Sequence, residues 1–156
     1  LDPKQYKVVA PGVLSRSGLP SDKQFVRLKN KGVVGVTNLL PANEPGGKGD
    51  VTRLPSFDTL GFRYLWLPIP GSFAPTDAQA KRFLSFVTNP KNQPVHIFCK
   101  AGNARTGTMV ALYRYAVDGW AMDKAIRESK KFGGGPSKKQ LAWLRGWAAT
   151  HAPRAR

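Results

Sequence analysis

Cysteine and histidine are the residues that this sequence has least of. Its 156 residues include one cysteine, Cys99, and two histidines, His96 and His151. One cysteine excludes a disulfide framework and a cysteine-rich zinc site. Two histidines are few ligands for a histidine-based metal site. We therefore expect no metal and no cofactor. A lone cysteine is usually an inert, buried side chain, and only its neighbours in the sequence can argue otherwise.

Long apolar runs are also missing, although 41% of the residues are hydrophobic. No stretch approaches the roughly 20 apolar residues that a membrane helix needs, so no membrane span is expected. The length suits one globular domain, which we assign to residues 1–156 and expect to be monomeric. The sequence begins at Leu1 rather than at methionine. Removal of a leader peptide would account for this start, so export, for example to the periplasm, is one expectation.

Acidic residues are scarce: 9 Asp and Glu stand against 25 Lys and Arg, for a net charge of +16. Such a charge attracts polyanions, which include nucleic acids, anionic membrane surfaces and small polyphosphates. A merely solvated basic surface is the plainer alternative. The sequence contains no recognised nucleic-acid-binding module, so we expect no nucleic-acid partner.

Strand and helix patterns alternate through most of the chain. Strands are predicted at 33–40, 62–67 and 94–98, after an extended stretch at 6–14 and a turn at 16–20. Helices are predicted after the N-cap Ser21, within 51–60, after the N-cap Thr76, and at 106–117, 122–132 and 137–150. This alternation predicts a single α/β domain with a central, mostly parallel sheet flanked by helices.

The segment from Cys99 to Thr106 joins a predicted strand to a predicted helix. A tight loop at a helix N-terminus directs backbone N–H groups inward and adds the positive end of the helix dipole, which makes an anion cradle. Arg105 lies six residues after Cys99, so a curled loop can return its guanidinium to the same anion. The same field favours the thiolate, which is the nucleophilic form of cysteine. Thr106 can donate a hydrogen bond to the sulfur. The predicted catalytic residues are Cys99 and Arg105, and the predicted substrate-binding residues are Lys100, Ala101, Gly102, Asn103, Ala104 and Thr106.

The loop resembles the phosphate-binding loop of the protein tyrosine phosphatase superfamily. It is most similar to the small bacterial dual-specificity-like branch, the phosphoinositide phosphatases and the tyrosine-phosphatase-like phytases. The segments 14–20 and 32–39 resemble the entry segment and the first core strand of small bacterial members. The resemblance implies a tyrosine-phosphatase-like fold, a cysteinyl-phosphate formed on Cys99, and phosphate binding by Arg105.

Two features depart from the family pattern. Family members usually carry histidine directly before the cysteine, where this chain has Phe98. His96 lies two residues earlier, and strand alternation places it on the face opposite to Cys99, so we expect a packed or edge histidine rather than a catalytic one. The segment 67–75, where the family usually supplies an aspartic general acid, contains no carboxylate. Asp77 is the nearest candidate, and the first turn of a helix favours aspartate for structural reasons alone.

Lys100 indicates the kind of phosphate ester. A cation inside the cradle favours a substrate with more phosphates than the one being cleaved, and phosphoinositide phosphatases of this superfamily often have lysine there. Further cations populate the last two predicted helices: Lys124, Arg127, Lys130, Lys131, Lys138, Lys139 and Arg145. We therefore predict an inositol polyphosphate phosphatase of the phytase-like kind. A tyrosine or dual-specificity protein phosphatase, a phosphate-binding pseudoenzyme and a basic nucleic-acid-binding protein remain as alternatives.

Overall fold

A computed structural model describes residues 1–153 and shows one mixed five-stranded sheet. The strands are β1 (Lys7–Ala10), β2 (Leu14–Ser17), β3 (Gly35–Asn38), β4 (Arg63–Trp66) and β5 (Val95–Phe98). Their order in the sheet is β1-β2-β5-β3-β4, and only the β1–β2 pair is antiparallel. The predicted α/β fold with a mostly parallel central sheet is therefore confirmed.

Within residues 1–153, seven α-helices accompany the sheet. They are α1 (Asp22–Asn30), α2 (Lys48–Thr52), α3 (Phe57–Leu60), α4 (Asp77–Thr88), α5 (Ala104–Ala116), α6 (Met122–Ser129) and α7 (Lys138–Thr150). Capping boxes open α1, α4 and α7, where a serine or threonine and a glutamine three residues later satisfy backbone N–H groups. Helix α5 is buried along most of its length and packs against α4, α6 and α7. Between residues 1 and 153, no helix combines the length and apolar character needed to cross a membrane.

The structure corrects two local predictions. Arg16 and Ser17, predicted as the start of a turn, belong to β2, because the chain turns earlier, at Pro11 and Gly12, and β2 then pairs with strands on both sides. The helix predicted within 51–60 is two short helices, α2 and α3. The residue before a proline avoids helical backbone, and Pro55 separates the two helices.

The strand register brings the parallel strands to a common edge. Ser17, Phe98, Asn38 and Trp66 are aligned across β2, β5, β3 and β4, and each is the last residue of its strand. The segments that follow these four strands therefore leave the sheet together. Ligands in such sheets bind beyond the carboxyl ends of the strands, and Cys99 comes directly after β5 at this edge.

His96 joins β5 to β2 inside the protein. Its Nδ1 lies 2.8 Å from Ser15 Oγ and its Nε2 lies 2.7 Å from Ser17 Oγ. Ser17 donates its own hydroxyl hydrogen to the Gly18 carbonyl, so the hydrogen-bond network assigns the Nε2–H tautomer. Complete burial lowers the pKa of His96 to about 3. The histidine is thus a neutral, packed side chain in the middle of the sheet, as the strand alternation predicts, and it is not at an edge.

This burial predicts a loss of stability in mild acid. In the unfolded chain a histidine binds a proton near its ordinary pKa of 6.5, whereas in the folded protein the pKa of His96 is about 3. Between these values the unfolded state holds more protons, so the free energy of unfolding falls as the pH falls. From about pH 6 to about pH 4 the loss is on the order of 2 to 3 kcal/mol.

Urea unfolding at several pH values measures this loss. In His96→Gln, which keeps a neutral donor and acceptor, the dependence should be weaker by up to about 1.4 kcal/mol per pH unit, whatever the variant's stability at neutral pH. Equal slopes for the two proteins would contradict the assignment of His96 as a neutral group.

Candidate active site

Cys99 lies at the base of the loop between β5 and α5 and is 2% exposed. The loop curls so that Gly102 adopts a left-handed φ of 77°, and Arg105 returns as the second residue of α5. A Cβ atom at Gly102 would lie 2.4 Å from the Gly18 backbone nitrogen, so only glycine fits there. The sequence-predicted Cys99 and Arg105 therefore lie at the two ends of one loop, between strand β5 and helix α5.

Two carbonyl groups of the loop are turned outward. The Lys100 carbonyl accepts a hydrogen bond from the Leu19 N–H at 3.0 Å, and the Gly102 carbonyl accepts one from Arg16 Nη2 at 2.7 Å. In a planar trans peptide the C=O and the next N–H point in opposite directions. The N–H groups of Ala101 and Asn103 therefore point away from β2, toward the inside of the loop. This orientation gives the loop the inward donors that an anion cradle needs.

Arg105 is held by groups from two other loops. Its Nη1 donates to Glu44 Oε2 and to the Ile69 carbonyl, both at 2.9 Å, and its Nη2 donates to Glu44 Oε1 at 3.1 Å. A guanidinium carries five N–H donors, and these bonds use three of them. The remaining two, on Nε and Nη2, lie along one edge of the group. That edge is a two-donor fork of the kind that binds phosphoryl oxygens.

Glu44 is the functional candidate that the sequence analysis missed. It lies in the loop after β3, 61 residues before Arg105. Asn38, the last residue of β3, holds that loop by donating to the Gly46 carbonyl at 3.0 Å and by accepting from the Leu40 N–H at 2.9 Å. The sequence did hold one indication of this role. Glu44 is one of few carboxylates in the chain, and it follows β3, which ends at the same edge of the sheet as β5.

Replacing Glu44 by glutamine should reduce kcat/KM by about 10- to 100-fold, because the amide cannot hold the Arg105 fork as a charged bidentate partner does. Steady-state kinetics on an aryl phosphate measure the effect. Asp58→Asn is the matched control, since Asp58 is an exposed carboxylate on α3. If Glu44→Gln instead bound tungstate more tightly and lost no activity, Glu44 would be a competitor of the phosphate rather than a support for Arg105.

The remaining loop residues differ in exposure. Lys100 and Ala101 are exposed, Asn103 and Ala104 are half-buried, and Gly102 is buried. Asn103 accepts a hydrogen bond from Gln5 Nε2 at 3.0 Å, so the N-terminal segment also supports the loop.

Thr106 lies in the first turn of α5, and its hydroxyl does not make the hydrogen bond to Cys99 that the sequence analysis expected. Within residues 1–153, Oγ1 is buried and has no hydrogen-bond partner. A buried hydroxyl without a partner is costly. A thiolate or a phosphoryl oxygen within its reach would relieve that cost.

The segment from Pro68 to Pro75 contributes its backbone to the site. The Ile69 carbonyl contacts Arg105, and the carbonyls of Ser72 and Phe73 accept hydrogen bonds from Ser137 and Gln140. Asp77 lies beyond this segment, in the first turn of α4, where its Oδ1 accepts a hydrogen bond from Trp143 Nε1 at 3.0 Å. This bond gives Asp77 a structural partner on α7, and its role as a general acid stays a prediction.

The expected cations divide into two groups. Lys139, in the first turn of α7, lies 4.3 Å above the exposed Phe73 ring, beside the 68–75 segment. Lys124, Arg127 and Lys131 instead line a cavity next to Trp120, and Arg145 is paired with Asp123. Cations on α6 therefore do not all face the loop. In the described part of the chain, no group of three His, Cys, Asp or Glu side chains could hold a metal ion.

Comparisons with known proteins agree with this geometry. The family described as "DSP-PTPase phosphatase fused to NAD+ Kinase" matches residues 48–146. A protein of Mycosarcoma maydis named as a tyrosine-protein phosphatase, OCA1, is 30% identical over 131 residues, which cover 81% of this chain and 78% of that protein. The inositol diphosphatase DSP3 of Arabidopsis thaliana is 26% identical over 136 residues, which cover 85% of this chain and 64% of DSP3.

A solved structure shares the fold. The core catalytic domain of the PP-IP phosphatase SIW14 from S. cerevisiae superimposes with a TM-score of 0.78, at 21% identity, over 93% of this chain and 86% of that one.

Proposed function

This chain belongs to the DSP-PTPase phosphatase family and is a cysteine-dependent phosphatase, and from that premise we propose that it acts on inositol polyphosphates, with Cys99 as the nucleophile. The observation that carries the role of the site is the Arg105 fork, which Glu44 and Ile69 orient beside the loop that begins at Cys99. Because the chain has one cysteine, no other thiol can supply the nucleophile.

In the first step the Cys99 sulfur attacks phosphorus. The S–P bond forms, the P–O bond to the leaving group breaks, and the leaving oxygen takes a proton from solvent or an acid. The Arg105 fork and the inward N–H groups of Ala101 and Asn103 bind the equatorial oxygens, where charge is stabilised in the transition state.

In the second step water attacks the phosphocysteine. The O–P bond forms, the P–S bond breaks, and orthophosphate leaves while the sulfur departs as a thiolate. The unpartnered Thr106 hydroxyl is a donor available to that developing charge. Neither step passes through a metal ion, so we expect activity to persist in the presence of a chelator.

The absence of carboxylates from the 68–75 segment bears on the substrate. Without a positioned acid, esters with strongly basic leaving groups lose roughly 10²- to 10⁴-fold in rate. A diphosphate group avoids this loss, because its leaving oxygen belongs to another phosphate and needs little protonation. DSP3 is named an inositol diphosphatase and SIW14 a PP-IP phosphatase, and these names support a phosphate-rich inositol substrate here.

The charge of the chain supports the same class. A net charge of +16 attracts polyanions, and Lys100 is exposed within the loop itself. Lys100→Ala should therefore lower kcat/KM for inositol hexakisphosphate by about tenfold relative to an aryl phosphate. Lys81→Ala, which removes an exposed lysine from α4, is the control and should change neither value.

One comparison tests the substrate class. Hydrolysis rates would be measured for inositol hexakisphosphate, a diphosphoinositol polyphosphate, a phosphoinositide and a phosphotyrosine peptide, with and without EDTA. We expect the inositol polyphosphates to have the highest kcat/KM, with the diphosphate form first. A clear preference for the peptide would overturn the proposal.

A tyrosine or dual-specificity protein phosphatase is the second candidate, since OCA1 carries the name of a tyrosine-protein phosphatase. The peptide arm of the same comparison identifies it. No turnover of any ester, with tight phosphate binding retained, would indicate a phosphate-binding pseudoenzyme.

A further inference from the structure

Arg16 is a buried cation behind the phosphate-binding loop. It lies in β2, is 1% exposed, and stacks on the Phe132 ring with 3.8 Å between the guanidinium carbon and the ring centroid. Its Nη2 donates to the Gly102 carbonyl, while Nε and Nη1 have no hydrogen-bond partner within residues 1–153. A buried charge is costly unless it is paired, so the placement of Arg16 calls for a compensating role.

The strand register explains why Arg16 reaches the loop. Arg16 is aligned with Ile97 on β5, so both side chains lie on the same face of the sheet, and Cys99 follows two residues later on that face. Ser15 and Ser17, on the opposite face, contact His96 instead. In strand β2, the charged side chain of Arg16 therefore lies on the face of the sheet that leads to Cys99, and the hydroxyl groups of Ser15 and Ser17 lie on the opposite face.

The charged groups around Arg16 do not neutralise it by hydrogen bonding. Lys7 on β1, Arg114 on α5, Glu128 on α6 and Lys131 after α6 line a cavity of about 490 Å³ with Arg16. Both carboxylate oxygens of Glu128 are bonded to Arg114. Burial lowers the pKa of Arg16 to about 10, and attraction to Cys99 and Glu128 opposes this shift, so the guanidinium stays positive at neutral pH.

We propose that Arg16 is a positioning residue of the catalytic site, which holds the Gly102–Asn103 peptide with its N–H toward the phosphoryl group and favours the thiolate of Cys99 from behind the loop. The proposal rests on the role of Cys99 proposed above. Gly102 has no side chain to bias its peptide, and its left-handed φ is a conformation that glycine can leave easily. The Arg16 hydrogen bond selects the orientation that places the Asn103 N–H inside the cradle.

The positive charge of Arg16 compensates for the lack of a histidine directly before Cys99, where this chain has Phe98. Phe98 replaces the usual histidine before the cysteine and packs on Phe25 with 5.8 Å between ring centroids. It therefore supplies no polar group to the sulfur. Arg16 is buried and lies on the same face of the sheet as Cys99, so its positive charge is placed to favour the ionised sulfur in place of that histidine.

The test compares Arg16→Met and Arg16→Lys with Arg82→Met, which removes an exposed arginine from α4. Three readouts are used: kinetics on an aryl phosphate, binding of inorganic tungstate, and the pH dependence of Cys99 alkylation by iodoacetamide. Arg16→Met should lower kcat about 100-fold, as expected for a misplaced oxyanion donor, and weaken tungstate binding about tenfold. Its alkylation should need a higher pH. Arg16→Lys should recover part of the thiolate effect, and Arg82→Met should match the wild type.

Wild-type tungstate binding and an unchanged alkylation profile in a folded Arg16→Met would overturn the proposal. If Arg16→Met does not fold, Arg16→Lys tests the proposal instead. Its single ammonium cannot reproduce the geometry of the guanidinium, so tungstate binding should weaken. Tungstate binding by Arg16→Lys as tight as in the wild type would overturn the positioning role. Tungstate binding and alkylation need no substrate, so these outcomes do not depend on the inositol assignment. Residual turnover in a cysteine variant would instead reject the proposed role of Cys99.

Discussion

Replacing Cys99 by serine is expected to reduce turnover by at least about 10⁴-fold on every phosphate ester, because no other group can form the covalent intermediate. Tungstate binding should persist, since the Arg105 fork and the loop N–H groups do not depend on the sulfur. Serine is close in size to cysteine, so the buried base of the loop stays filled. The expected pattern is loss of chemistry with retention of the anion site.

Rapid quenching in acid followed by mass spectrometry checks this result directly. The wild-type protein should carry one phosphoryl group on the peptide that contains Cys99, and Cys99→Ser should carry none. Tungstate-induced thermal stabilisation of both proteins measures the anion site separately. Appreciable turnover by Cys99→Ser would reject the thiolate mechanism, whichever ester is the substrate.

Replacing Arg105 by lysine should lower kcat/KM by about 10³-fold. Lysine keeps the positive charge but offers a point charge in place of a planar fork, so the two phosphoryl contacts and the two contacts to Glu44 cannot coexist. The loss should fall mainly on kcat, because the fork matters most where charge is stabilised in the transition state. Arg82→Lys on α4 is the matched control and should be neutral.

A double-mutant cycle between Arg105→Lys and Glu44→Gln separates support from independent action. Glu44 acts through Arg105, so once the fork is lost, the second substitution should cost little more. If the losses in kcat/KM from the two substitutions were strictly additive, Glu44 would contact the substrate independently of Arg105, for example as a proton donor.

Local signals determined much of the fold from the sequence. The capping pairs Ser21 and Gln24, Thr76 and Gln79, and Ser137 and Gln140 each span three residues, so their interaction is decided within one helical turn. For this reason the N-caps Ser21 and Thr76 were predicted from the sequence alone. Local sequence signals were weaker where strand pairing decides the secondary structure. Arg16 and Ser17 resemble a turn in isolation and become a strand because β1 and β5 lie on either side.

The sequence by itself determined that a strand, a tight loop and a helix follow one another through Cys99 and Thr106, and it predicted the chemistry of that loop. A nucleophile, small residues, an arginine six positions later and a helix start interact over a few residues, so their spacing alone predicts an anion cradle beside a thiol. Only the tertiary structure decided what holds that cradle. Glu44 meets Arg105 across 61 residues of sequence, and Arg16 meets Gly102 across 86. Contacts of this kind depend on strand order and register, which place β2 and β3 on either side of β5, and no local pattern in the chain encodes that order.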